Sequence, residues 1–230
     1  DTLSLHDALP ISGILLILIL IHFCVPVRLP QEKTAVGIIT TNFTLPEKKE
    51  NYGGTFKAQE KIIHTMTLSL ASSSPSIIAY PEDTRYLSYL SPTDKTDLLI
   101  HFNKTLFIDG ETVPVQGGLS NTSVFYIPRT AKPLVRGKEF LLPFSEYIPY
   151  VFSPLLEVFV GNNNMKMYTD EHTYTPIHSS KTIILGSERI GTLLCSEIFS
   201  YTTVKKLNRE NPSLVFFQSR MDVFHNNSWF

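Results

Sequence analysis

A series of short apolar runs, each closed by a polar residue, proline or glycine, constrains this chain more than any other feature. They are Ala35–Thr40, Ser76–Tyr80, Leu98–Phe102, Thr122–Ile127, Lys181–Leu185, Arg189–Leu194 and Ser213–Phe217. Runs of this length, rich in β-branched and aromatic residues, read as strands buried in a sheet. Thr55–Ser72 differs: Ile62, Ile63, Met66, Leu68 and Leu70 recur at roughly helical spacing, and Ser72-Ser73-Ser74-Pro75 stops the pattern. Turns are expected at Gly53-Gly54, Asp109-Gly110-Glu111 and Gly117-Gly118. Gly186-Ser187-Glu188 should join two of the runs as a hairpin. Strands alternate with helix early and form hairpins later, which predicts a sheet-rich, layered α/β fold and no repeat architecture.

The chain has 230 residues and 43% hydrophobic content, enough for one substantial domain and room for two. Its 20 basic and 21 acidic residues are interspersed and the net charge is −1, so no basic stripe marks a nucleic-acid partner. Cys24 and Cys195 are too few for a disulfide framework and read as free thiols. His172 and His178 have no partner pair at zinc spacing, and no glycine-rich loop is built to cradle phosphate. Neither metal nor cofactor is expected.

Residues 1–12 stand apart. Thr2–Ile11 resembles the conceptual translation of a sequencing adapter and is expected to be an artefact outside the fold. Gly13–Val27, interrupted only by His22, is the longest apolar stretch. At about 15 residues it falls short of the roughly 20 that cross a bilayer. It lacks the leader and cleavage site of a signal peptide, and it is long for a soluble strand. The expectation is the remnant of a transmembrane helix that lost its start, ended by Pro26 and Pro30. Arg28, Glu32 and Lys33 are too few to set an orientation. Residues 34–230 then form one domain, expected to be cut short at Asn226–Phe230.

Three islands carry chemistry. Glu82 follows an apolar run in Tyr80-Pro81-Glu82-Asp83. It reads either as a general base whose pKa burial has raised, or as a solvated loop acid. Lys138 and Glu146 share the proline- and aromatic-rich segment Gly137–Pro149. Lys138 is either a fixed charge for an oxyanion or a lysine snorkelling over aromatic surface. Cys195 ends the run Ile190–Leu194 and precedes Ser196-Glu197. It is a nucleophile if a base and a cation sit beside it, and inert packing otherwise.

The order Glu82, Lys138, Cys195, with G-K-x-x-L-x-P-F-x-E-Y-x-P around the lysine and L-L-C-x-E around the cysteine, resembles the nitrilase, or carbon–nitrogen hydrolase, superfamily. Within it, Gly13–Phe230 looks most like the bacterial apolipoprotein N-acyltransferase family, multi-pass membrane enzymes with a nitrilase-like domain. The lysine segment is the most specific part of the match. Asn226–Phe230 is similar to the family's N-D-x-W-F, with Asn227 replacing the aspartate. The resemblance implies a nitrilase-like αββα sandwich preceded by a truncated transmembrane helix. It implies Glu82 as general base, Lys138 as oxyanion stabiliser and Cys195 as nucleophile, with Glu146 and Glu197 supporting the site. Ser196 stands where the family usually has tyrosine, which bears on pocket shape, and its backbone N–H remains a donor for the oxyanion. Ser145 stands where glycine is usual.

The activity so implied moves an acyl chain from a membrane phospholipid, through a thioester on Cys195, to the diacylglyceryl-cysteine N-terminus of an apolipoprotein. The location implied is the bacterial inner membrane, with this domain on the periplasmic side and the bilayer as partner. The sequons at Asn42, Asn103, Asn121 and Asn226 are then chance. Two rivals remain: a nitrilase-type amidohydrolase of small amides, and an inactive fragment or scaffold.

Overall fold

In the computed structural model, which describes residues 34–40, 52–130, 132–143, 146–147 and 174–219, the apolar runs form the centre of two sheets. The first sheet has the order β1-β2-β3-β4-β5: β1 (Val36–Ile38), β2 (Ile77–Ala79), β3 (Leu106–Val115), β4 (Gly118–Tyr126) and β5 (Leu134–Gly137). β1, β2 and β3 run parallel, whereas β3–β4 and β4–β5 are antiparallel. The second sheet holds β6 (Thr182–Leu185), β7 (Glu188–Leu194) and β8 (Leu214–Gln218). Its first pair is the expected hairpin, and β8 returns parallel to β7.

Two apolar clusters explain the layering. Ile77, Ala79, Leu106, Ile108 and Phe125 of the first sheet meet Ile183, Ile190 and Phe216 of the second. Fully burying such side chains contributes about 1.5–3 kcal/mol each, more than any exposed ion pair supplies. On the opposite face of the first sheet, Ile78, Phe107, Val124 and Tyr126 pack under three helices. These are α1 (Tyr52–Ser69), which continues as a 3-10 turn through Ser73, the single turn α2 (Tyr86–Tyr89) and α3 (Pro92–His101). On the far side, Leu207 of α4 (Tyr201–Arg209) lies against Gly191 of β7. The resulting helix–sheet–sheet–helix order is the layering the resemblance implies.

Some expectations need correction. Leu98–Phe102 is not a strand but the end of α3, where Leu98 and Phe102 face the core and Ile100 is 65% exposed. One helical turn separates the two buried residues; a strand would have put Ile100 on their face. The deciding signal lies upstream, where Ser91 caps the helix by accepting from the Asp94 N–H and Pro92 takes the first turn. Gly53-Gly54 falls inside α1 rather than in a turn. Asp109-Gly110-Glu111 lies within β3, for a reason that belongs to the site. Among the described residues no helix is long and apolar enough to cross a membrane. Thr2–Ile11, Gly13–Val27 and Asn226–Phe230 lie outside those residues.

Candidate active site

Glu82, Lys138 and Cys195 each follow directly or closely on a strand: β2, β5 and β7 respectively. Glu82 sits in a strained loop, because Asp83 and Arg85 both adopt left-handed backbone (φ 56° and 52°). Several bonds hold that loop against β3. The Arg85 N–H donates to the Gly110 carbonyl (2.8 Å), and the Leu87 N–H donates to Asp109 Oδ2 (2.8 Å). Thr112 Oγ1 lies 2.7 Å from Asp83 Oδ1.

Gly110 is the reason the loop can approach. A Cβ there would stand 2.5 Å from Asp83 N, 2.6 Å from the Pro81 carbonyl and 2.8 Å from Glu82 Cα, all backbone atoms that cannot rotate away. The Asp-Gly pair that reads as a turn is thus a mid-strand contact point. Gly110→Ala should destabilise the protein by about 1–3 kcal/mol in urea unfolding, since overpacking displaces backbone. A variant as stable as wild type would show that residues 81–83 are not seated on β3.

At Cys195 the chain leaves β7 and turns at once into a 3-10 helix (Cys195–Phe199). The cysteine itself takes φ 43°, a left-handed conformation that costs roughly 1–3 kcal/mol for a side-chain-bearing residue. Glu197 closes this turn by accepting from the Leu194 N–H (3.0 Å). The thiol is partly exposed, and Ser219 Oγ lies 3.8 Å from its sulfur.

Lys138 is 1% exposed, and its ammonium bridges two buried carboxylates. Nζ donates to Glu146 Oε1 at 2.6 Å and to Glu82 Oε1 at 3.2 Å. Burial alone would make the lysine easier to deprotonate, but Glu82 and Glu146 outweigh it and hold its pKa above the ordinary value. A single ammonium cannot neutralise two carboxylates, and its shorter bond goes to Glu146. Burial therefore wins at Glu82: its pKa is raised, with Lys138 pulling against the shift. Burial also raises the Cys195 thiol, helped by the Glu82 charge and opposed by Lys138. The thiol is therefore harder to ionise than an ordinary cysteine, and its ionisation is coupled to both other groups.

The supporting residues separate into two sets. Glu146 Oε2 accepts from the Leu142 N–H (2.8 Å), and Ser196 Oγ donates to the Phe140 carbonyl (3.0 Å) with Glu146 Oε2 also near, at 3.4 Å. Both brace the segment after Lys138. Glu197, fully buried, turns the other way, accepting from the Glu139 N–H (2.6 Å) and from Lys181 Nζ (2.7 Å).

Residue-by-residue reading missed several participants. Asn121, which the sequence marks only as a sequon, is buried and donates through Nδ2 to Glu82 Oε1 (3.2 Å), while Thr112 Oγ1 lies 2.8 Å from its carbonyl. Gln218 joins the two sheets beside the site, donating to the Tyr80 carbonyl (2.9 Å) and accepting from Ser123 Oγ (2.6 Å). Lys181 is as buried as Lys138. Only the position of Asn121 on a strand next to β3 could have hinted at its role; the other contacts join distant parts of the chain.

A cavity of about 560 Å³ opens beside Glu82, walled by Ile38, Ile63, Tyr86, Tyr89, Val215 and Phe217, with Ser219 also on its wall. Among the described residues no group of three His, Cys, Asp or Glu side chains could hold a metal ion.

Comparison with known proteins bears on the fold. No family model matches the sequence, and no curated protein matches it either. Solved structures do. A mutant of an amidase of the nitrilase superfamily from Nesterenkonia superposes with TM-score 0.52 at 9% identity, over 81% of this chain and 64% of that one. Another structure of a Nesterenkonia amidase gives TM-score 0.52 at 10% identity, over 83% and 66%. A carbon–nitrogen hydrolase from Helicobacter pylori gives TM-score 0.50 at 12% identity, over 81% and 59%. The chain shares the fold of these enzymes and spans 59% to 66% of their lengths.

Proposed function

We propose that this chain is a phospholipid-dependent N-acyltransferase that carries its acyl group as a thioester on Cys195. The observation that carries the chemistry is Lys138, an ammonium fixed between Glu82 and Glu146 and coupled to the charge of a thiol at a strained strand end. In this reading Glu82 accepts the Sγ proton as the sulfur attacks an ester carbonyl. The carbonyl electron pair moves to oxygen, where Lys138 meets the negative charge. When the oxyanion collapses, the ester C–O bond breaks. The leaving alkoxide takes the proton from Glu82 and departs as lysophospholipid. The α-amino group of a diacylglyceryl-cysteine then attacks the thioester and passes its proton to Glu82. The C–S bond breaks, an amide leaves, and the thiolate recovers the proton. Splitting one transfer in two predicts ping-pong kinetics.

The cavity beside Glu82, mostly apolar but lined also by Glu60 and Asp83, offers room for a hydrocarbon chain next to the base. The lysine segment supports the same reading through its resemblance to the N-acyltransferases. The reading carries with it a location on the extracytoplasmic side of a bacterial cytoplasmic membrane, with Gly13–Val27 as anchor and an apolipoprotein as acceptor. Hydrolysis of a small amide is the second reading, favoured by the amidases of like fold. There water, rather than an amine, would resolve the thioester.

Intact-mass spectrometry separates the two. The full chain, incubated with phosphatidylethanolamine vesicles, should gain one fatty-acyl mass on Cys195. It should lose that mass when a diacylglyceryl-cysteine peptide is added, with N-acyl peptide formed. No adduct from vesicles, together with ammonia release from acetamide or acrylamide, would replace the transferase by the amidase.

A further inference from the structure

Lys181 and Glu197 form a second buried ion pair, 1% and 0% exposed, which touches neither Glu82 nor the Cys195 sulfur in any of its hydrogen bonds. Its bonds go to backbone, and to a particular set of backbone groups. Lys181 Nζ donates to the Gly137 carbonyl (2.6 Å), which belongs to the peptide bond entering Lys138. Glu197 Oε1 accepts from the Glu139 N–H (2.6 Å), which belongs to the peptide bond leaving Lys138. Glu197 Oε2 accepts from the Leu194 N–H (3.0 Å), one residue before Cys195. Lys181 is itself anchored on both sides: its N–H donates to Glu210 of the turn after α4, and its carbonyl accepts from the Thr192 N–H of β7 (3.0 Å).

A buried ion pair is a poor way to gain stability, because well-packed apolar residues of similar volume often do as well or better. What an apolar pair cannot supply is direction. One lysine and one glutamate here satisfy three backbone groups from two strand ends, those that carry the ammonium and the thiol. Gly137 adds to the fit, since a Cβ there would stand 2.1 Å from Ile177 Cβ, so the β5 end is packed as well as bonded.

We infer that Lys181, acting with Glu197, is a positioning residue: it fixes the spacing between the Lys138 ammonium and the Cys195 thiol by holding both peptide bonds of Lys138 and the Leu194 N–H on one buried ion pair. This rests on the reading of Cys195 as the nucleophile and Lys138 as its cation.

The test follows the thiol rather than the fold. The full chain is alkylated with iodoacetamide across roughly pH 7 to 12, and modification of Cys195 is read at the peptide level. Lys138→Met should move the Cys195 inflection to higher pH. Lys181→Met should do the same by about one pH unit, leaving Cys195 about tenfold slower near pH 8. Lys181→Met/Glu197→Gln removes the unpaired buried charge and should recover part of the melting temperature, since the amide can still accept from one of the two backbone N–H groups, without recovering the wild-type profile. That double variant carries the comparison if the single one fails to fold. A lowered melting temperature with an unmoved Cys195 profile would make Lys181 merely structural and overturn the inference, as would a double variant with the wild-type profile. An inflection that ignores Lys138→Met would instead bring down the underlying assignment of the site.

Discussion

Lys138→Met should slow thioester formation by about 10²–10³ and destabilise the protein by about 3–5 kcal/mol, an unusual pairing for a single substitution. In the proposed mechanism the rate falls because a fixed charge aimed at the developing oxyanion is lost. The stability falls because Glu82 and Glu146, 6% and 9% exposed, lose the ammonium they share. The pH dependence distinguishes this cause from a packing defect. Glu82 already binds its proton more tightly folded than unfolded, since burial raises its pKa. Its contribution to stability is therefore fully present below about pH 4 and is lost as pH rises through the folded-state value. Without Lys138 only the Asn121 amide opposes that shift, so the deficit of the variant should be smallest in mild acid and grow toward neutral pH. Urea unfolding at several pH values reads this directly. A deficit that is flat with pH would mean that only methylenes, and not charge, had been exchanged at this position.

The legible parts of this protein were those decided locally. Ile77–Ala79 and the Gly186-Ser187 hairpin follow from residues next to one another in the chain; Cys195 and Glu82 could be singled out because each follows an apolar run, and Lys138 because it lies in a proline- and aromatic-rich segment. The illegible parts depend on long-range approach. Asp109-Gly110 has turn composition, yet its glycine serves a loop more than twenty residues upstream. Leu98–Phe102 is too short for its period to tell strand from helix, and the cap that settles it lies outside the run. Asn121 looks like any strand asparagine until β3 and the Glu82 loop close over it. Lys181 stands at the head of an apolar run with no local sign of a role; only the folded chain brings Gly137 and Glu197 to its ammonium. Buried polar groups need partners, but a single sequence does not say which distant residue supplies them.

Glu82→Gln should lower the rate of acyl transfer by about 10²–10⁴ while leaving the melting temperature close to wild type. The amide keeps the volume of the carboxylate, and its carbonyl can accept from both Lys138 and Asn121, which donate to Oε1. Lys138 keeps its shorter bond to Glu146, so no buried charge is left alone. What disappears is a lone pair able to take the thiol proton. In the wild type, activity should fall on the acid side at a pH above the ordinary carboxylate range, because Glu82 protonates early. The glutamine variant should lack that limb. Its residual rate should instead climb through alkaline pH, as the thiol, itself held above its ordinary value, ionises unaided. Single-turnover acylation followed by mass over a pH series resolves both limbs. A loss smaller than about tenfold, with the acid limb retained, would mean that another group takes the proton and that Glu82 serves only to hold Lys138 in place.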